Sequence, residues 1–72
     1  MEQFEYQLRV FVKYAQDTIN RNAFVMYQPG YITLCYFDRD GELTVIADTK
    51  MLETYQLTFS KLYEQIQTYK KG

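Results

Sequence analysis

The stretch that most constrains the fold is Tyr31 to Asp48, YITLCYFDRDGELTVIAD. It reads as two strands joined by a tight turn. The Asp38 side chain is placed to bond the backbone two residues on. Arg39 and Asp40 tolerate the helical dihedrals of a type I turn, and Gly41 supplies the positive φ that closes a three-residue loop with a bulge. Setting Asp38 opposite Glu42 fixes a register in which Phe37 faces Leu43, Tyr36 faces Thr44, Cys35 faces Val45, Leu34 faces Ile46 and Thr33 faces Ala47. Side chains alternate between faces along a strand. One face then carries Tyr31, Thr33, Cys35, Phe37, Leu43, Val45 and Ala47, and the other Ile32, Leu34, Tyr36, Thr44 and Ile46. Neither is polar, whereas an antiparallel sheet open to water normally has one solvated side. Both faces therefore need a cover.

Helices are available on either side of the hairpin. From Glu2 to about Arg21, the residues Phe4, Leu8, Phe11, Val12, Ala15 and Ile19 form one stripe at period 3.6, with Glu5, Arg9, Lys13, Gln16 and Asn20 away from it. Glu5 and Arg9 have the spacing of a favourable i,i+4 pair. Glu2 and Glu5 suit the positive end of the helix dipole. Tyr6, Val10 and Tyr14 widen the apolar face or form a second contact surface. Asn20 and Asn22 are stop signals, because Asn tolerates a left-handed cap. Ala23 to Tyr27, AFVMY, reads as a short strand. Gln28-Pro29-Gly30-Tyr31 fits a type II turn, a type that splays strands. The short strand is thus expected either to bend round a corner or to pair loosely.

Two readings fit the stretch after Asp48. In one, Thr49 caps a helix running to Lys70, with Leu52, Tyr55, Phe59, Leu62, Ile66 and Tyr69 on a heptad seam. In the other, which the cluster of threonines favours, Met51 to Gln56 is extended. Thr58 is then the N-cap, with Leu57 and Leu62 as a hydrophobic staple. Both make Phe59 to Lys70 helical, with Phe59, Leu62, Tyr63 and Ile66 inward and Lys70 and Lys71 at the negative end of the dipole. The expected fold class is α+β: an N-terminal amphipathic helix, an antiparallel sheet of two to four strands built on the 31–48 hairpin, and a C-terminal helix.

With 72 residues the chain makes a single small domain, 1–72. A domain of this size buries only about 60% of its unfolded surface and usually leans on a staple or on self-association. One cysteine permits no internal disulfide, and the absence of histidine leaves no zinc set. Dense aromatic packing or oligomerisation remains. Eight basic and nine acidic residues give a net charge of −1, without the clustered cations of a nucleic-acid footprint. The start, MEQFEYQLRV, interrupts its apolar pattern with Glu2, Glu5 and Arg9, unlike a secretory signal. No stretch approaches the roughly 20 apolar residues of a membrane span. A cytoplasmic location and no membrane contact are the expectation.

The chemistry needed for catalysis is sparse. Histidine, the commonest general base, is missing. Cys35 sits mid-strand, where a thiol acts as a small apolar group. Asp38, Asp40 and Glu42 cluster at the hairpin tip. With Gly41 as the glycine of a calcium loop, however, the first and last ligand positions are Tyr36 and Ala47, so the tip is a turn. The expectation is no enzyme, no cofactor and no metal.

Eight tyrosines are the unusual feature. Tyrosine joins apolar area to a polar tip and is enriched at protein interfaces. Tyr6, Tyr14, Tyr27, Tyr31, Tyr36 and Tyr63 are the candidate interaction surface. These features suggest a small protein–protein interaction module: a self-associating adaptor, with a homodimer expected, or an inhibitor docking on a larger protein. Small, cofactor-free, aromatic-rich chains of this kind are typical of viral proteins made by phages and mobile elements. The alternative is an accessory protein that stacks single-stranded bases on Tyr27, Tyr31, Tyr36 and Phe37. Only Arg39 offsets Asp38, Asp40, Glu42 and Asp48 there, so nucleic acid is the less favoured partner. A structural subunit of a larger assembly is a third option.

Overall fold

The structure, a computed structural model, describes residues 2–72 and the side chains from residue 3 onward. Met1 and the side chain of Glu2, expected to favour the helix dipole, lie outside the described residues. The element order is helix α1 (Glu2–Thr18), strands β1 (Phe24–Gln28), β2 (Tyr31–Phe37) and β3 (Leu43–Lys50), and helix α2 (Tyr55–Lys71). The three strands form one antiparallel meander in the order β1-β2-β3. This is the expected α+β arrangement with three strands.

α1 ends three residues before the expected Arg21. Ile19 and Asn20 both donate to the Ala15 carbonyl, at 2.9 and 3.2 Å. Asn20 then turns the chain through its side chain, whose Oδ1 accepts from the Asn22 backbone N–H at 2.8 Å. No described residue other than glycine has positive φ, so neither asparagine serves as a left-handed cap. The Asx turn does the work instead.

β1 pairs with β2 in full register from Phe24 opposite Cys35 to Gln28 opposite Tyr31. The Pro29-Gly30 loop therefore makes a tight hairpin, not a corner. Gly30 has φ of +80°, as the third position of a type II turn requires. The splay expected of this turn type is restrained from the far side, because Met51 N–H donates to the Gly30 carbonyl at 2.8 Å.

The β2–β3 turn forms as its residues dictate. Asp38 Oδ1 accepts from the N–H groups of Asp40 and Glu42, both at 2.9 Å, and Gly41 takes φ of +79°. Phe37–Leu43, Tyr36–Thr44 and Cys35–Val45 are paired as expected. Beyond them the register departs from expectation. A bulge sets Leu34 opposite Ala47 and Thr33 opposite Asp48, in place of Ile46 and Ala47. A regular strand would have carried Asp48 onto the same face as Ile46, under the helices, where an unpaired carboxylate is costly. The extra residue turns Asp48 and Lys50 outward and buries Ile46 and Ala47 together.

α2 starts between the two expected positions. Thr54 is the N-cap, its side chain accepting from Leu57 N–H at 3.2 Å. Thr49 stays in the ladder opposite Ile32. Thr58, a candidate cap, is instead fully buried within the helix. Its hydroxyl donates to the Thr54 carbonyl and accepts from Leu52 N–H. Leu57 is exposed, so no staple forms.

One apolar cluster joins Phe11 and Ala15 of α1, Phe59, Leu62 and Ile66 of α2, and Ile32, Leu34, Ile46 and Ala47 of the sheet. Ile32 and Leu34 share a face of β2. Both helices thus lie on the same side of the sheet, making a two-layer domain with its other sheet face uncovered.

Candidate interaction surface

The outer face is built in rows by the strand register. Phe24, Cys35 and Val45 form one row, with Phe37 and Leu43 beyond them toward the hairpin tip. Met26, Thr33 and Asp48 form the next row toward the other end, followed by Gln28, Tyr31 and Lys50. Phe37 is 57% exposed and Val45 48%, with Leu43 and Tyr31 also exposed. The Phe24 and Phe37 rings stack at 5.7 Å between centroids. Cys35, between Phe24 and Val45, has no exposed surface, and burial pushes its thiol pKa up. A buried, protonated thiol is a packing group here.

Charges ring this apolar centre. Arg39, Asp40 and Glu42 are exposed at the tip, and Asp48 and Lys50 at the opposite end. An open groove of about 670 Å³ runs past Phe37, bounded by Asn20, Arg21 and Asn22 on one wall and Tyr36 to Arg39 on the other. Arg21 and Arg39 have no ion-pair partner among the described residues. The described residues hold no group of three metal-binding side chains. No described helix is long and apolar enough to cross a membrane.

The six candidate tyrosines do not share one surface. Tyr31 is on the outer face. Tyr6 is exposed on α1, and Tyr27 is exposed on the inner side of β1 with its ring 6.0 Å from Phe4. Burial, with Glu5 nearby, raises the Tyr27 pKa. Tyr14 and Tyr63 pack together between the helices at 5.4 Å, and Tyr63 meets Phe11 edge-on at 5.1 Å. Burial, then Tyr14, raises the Tyr63 pKa. Tyr36 closes the seam between sheet and α2, its hydroxyl 3.0 Å from that of Tyr69. Half of the set thus lines the rim of the core. The residues that make the contiguous apolar patch are Phe24, Phe37, Leu43 and Val45. Their signal in the sequence was the second apolar face of the hairpin. No family model, no curated protein and no solved structure matches the chain.

Proposed function

We propose that the chain is a protein–protein interaction module whose contact surface is the outer face of the sheet. One observation carries this reading. Both helices cover the inner face, leaving Phe24, Phe37, Leu43 and Val45 as a contiguous apolar patch, with Tyr31 further along the same face, where an antiparallel sheet is normally polar. The patch has the anatomy of an interface: an apolar, aromatic centre with a charged rim. Its occupant is an apolar surface of a larger protein, and the chain acts on it as an adaptor or inhibitor in the cytoplasm, without catalysis or cofactor. Tyr31 belongs to this surface directly.

Val45→Lys and Phe37→Glu test this reading. Each places a charge at the centre of the patch without touching the core. Captured from a lysate of its native cell, a partner that binds the wild type and the Lys61→Glu variant of α2, but neither sheet variant, supports the proposal. Equal capture by all four chains overturns it. Base stacking would use Phe24, Tyr31 and Phe37, but Lys50 is the only cation among the face's own rows. Anisotropy with labelled single strands, weakening steeply with salt, would favour that alternative.

A further inference from the structure

The two edges of the sheet are treated differently. The outer edge of β3 is plugged at Asp48. Gln65 of α2 accepts from Asp48 N–H at 3.0 Å and donates to the Asp48 carbonyl at 2.7 Å, taking both groups that face away from β2. A bulge and two charged residues, Asp48 and Lys50, complete the defence. On β1 the one such device is Gln16 of α1, which donates to the Ala23 carbonyl just before the strand; along Phe24–Gln28 there is none. Its sequence, FVMYQ, carries no charge, proline or bulge. The loop before β2 has two residues, so Gln28–Tyr31 is a hydrogen-bonded pair, and Met26–Thr33 and Phe24–Cys35 follow in alternation. The N–H and C=O groups of Val25 and Tyr27 therefore point off the edge. Among the described residues nothing bonds them.

The helix above this edge matches it. α1 runs antiparallel over β1, with Phe4 against Tyr27 and Gln16 Nε2 donating to the Ala23 carbonyl at 3.0 Å. α2 occupies the other flank of α1, through Phe11, Tyr14 and Tyr63. The free flank has an apolar groove of about 430 Å³ lined by Leu8, Arg9, Val12, Lys13 and Gln16. Glu5 and Arg9 do not form the intrahelical pair their spacing suggests; the ion pair on α1 is Lys13–Asp17, at 3.5 Å. Among the described residues neither has an ion-pair partner, so Arg9 lines the apolar groove as an unpaired cation with Glu5 one turn away on the same helix.

We infer that two copies of the chain pair β1 against β1, antiparallel about a two-fold axis at Met26. Val25 of each copy then exchanges both backbone bonds with Tyr27 of the other, so all four outward groups on each strand are used. The result is a six-stranded sheet with four helices on one side. The two α1 helices lie antiparallel across the axis, Leu8 and Val12 closing the groove and Glu5 of one copy approaching Arg9 of the other. This pairing goes beyond the docking face and does not depend on it; it would double that face into one continuous surface.

The test uses the full chain. Sedimentation at high micromolar concentration is expected to give the mass of two chains, with slow Val25 and Tyr27 amide exchange that accelerates on dilution. Tyr27→Pro removes an outward N–H and no ladder bond, so it is expected to sediment as one chain with an unchanged circular dichroism spectrum. Met26→Cys brings two thiols across the axis at a Cα separation of about 4.5 Å, within disulfide reach, and is expected to form a linked dimer in oxidised glutathione. Exchange and cross-linking decide the matter if Tyr27→Pro unfolds. A single-chain mass throughout, with rapid exchange at both amides, overturns the inference. A dimer in which those amides remain rapid also overturns it, and leaves the docking face standing. Val45→Lys is expected to keep the dimer while losing the partner, which separates the two surfaces.

Discussion

The two faces of the sheet are made by alternate residues of the same strands, and they have opposite fates. On β2, Ile32 and Leu34 are sealed beneath Phe11, Phe59, Leu62 and Ile66, while Phe37, three residues on from Leu34, stands in water. Hydrophobicity alone does not explain the difference, since both faces are apolar. What separates them is where the connections return the chain. The loops at Asn20–Ala23 and Met51–Thr54 are short, and each brings its helix to the same side. The domain therefore completes a core from one face and leaves the other available. A face that is apolar but carries no part of the core should be expendable for folding and needed for binding. The variants below set the two roles apart.

The largest effect is expected at Leu34, which is fully buried at the centre of the covered face. Leu34→Ala should cost about 2–5 kcal/mol through lost transfer energy and the cavity left behind. A 72-residue domain has a total stability of about 4–10 kcal/mol. The variant should therefore show a much lower urea midpoint or unfold outright. A loss below about 1 kcal/mol would mean that the helices do not seal this face.

How much of this was readable in advance follows from what kind of signal each feature uses. The Asp38-Arg39-Asp40-Gly41 turn is local chemistry, and it carried the register correctly through Cys35–Val45. Strict alternation carried past Val45 does not contain the bulge. Its signal was present: Ile46 and Ala47 are adjacent apolar residues followed by Asp48, and no regular strand buries the first without the third. The start of α2 was ambiguous because Thr49, Thr54 and Thr58 are equivalent as local caps. The choice is made at a distance, by the ladder holding Thr49 and by Thr58 bonding Leu52. The tyrosines announced themselves by number, but number does not tell a core rim from a contact surface. The period of α2 already turns Tyr63 inward beside Phe59, Leu62 and Ile66, whereas the Tyr36–Tyr69 contact is set by the seam between sheet and helix, which no local pattern encodes.

Thr58 offers the next test of the closed side. Its hydroxyl brackets the β3–α2 connection, accepting from Leu52 N–H at 2.9 Å and donating to the Thr54 carbonyl at 3.1 Å. Thr58→Val keeps the shape and leaves the Leu52 N–H without its partner. The expected cost is about 1–2 kcal/mol in urea unfolding, with Thr58→Ser recovering most of it. A silent Thr58→Val together with a destabilised Thr58→Ser would show that methyl packing, and not the bracket, is what matters at this position.

A smaller effect is expected at the seam between the faces, where Tyr36 meets Tyr69. Tyr36→Phe removes one hydroxyl–hydroxyl bond, worth about 0.5–1 kcal/mol. The Tyr69 pKa is raised, first by the hydrogen bond with Tyr36, then by burial and by the Tyr36 charge. Its value in the unfolded chain is about 10. A raised value means the fold favours the neutral phenol, so this stabilisation is whole below about pH 10 and is lost as pH rises through the folded value. The wild-type urea midpoint should fall as pH rises above about 10, and the Tyr36→Phe midpoint should fall less. Parallel declines would place the alkaline sensitivity at the other tyrosines with raised values, Tyr27 and Tyr63.

The smallest effect should come from the open face itself. Val45 pairs with Cys35 on the outer side and is about half exposed. Val45→Thr keeps the β-branched shape that suits a strand and adds one hydroxyl on the solvent side. Its urea midpoint should stay within about 0.5 kcal/mol of the wild type, the ordinary range for a surface substitution. The same hydroxyl placed within an apolar partner interface is buried without a hydrogen bond, so binding should weaken by about 1–3 kcal/mol in titration calorimetry. That division, a change silent in folding and visible in binding, is what an apolar face outside the core predicts. If Val45→Thr instead destabilised the isolated chain as much as Thr58→Val, the outer face would be part of a core completed in solution. The comparison between a closed and an open face would then have to be redrawn as one between two closed ones.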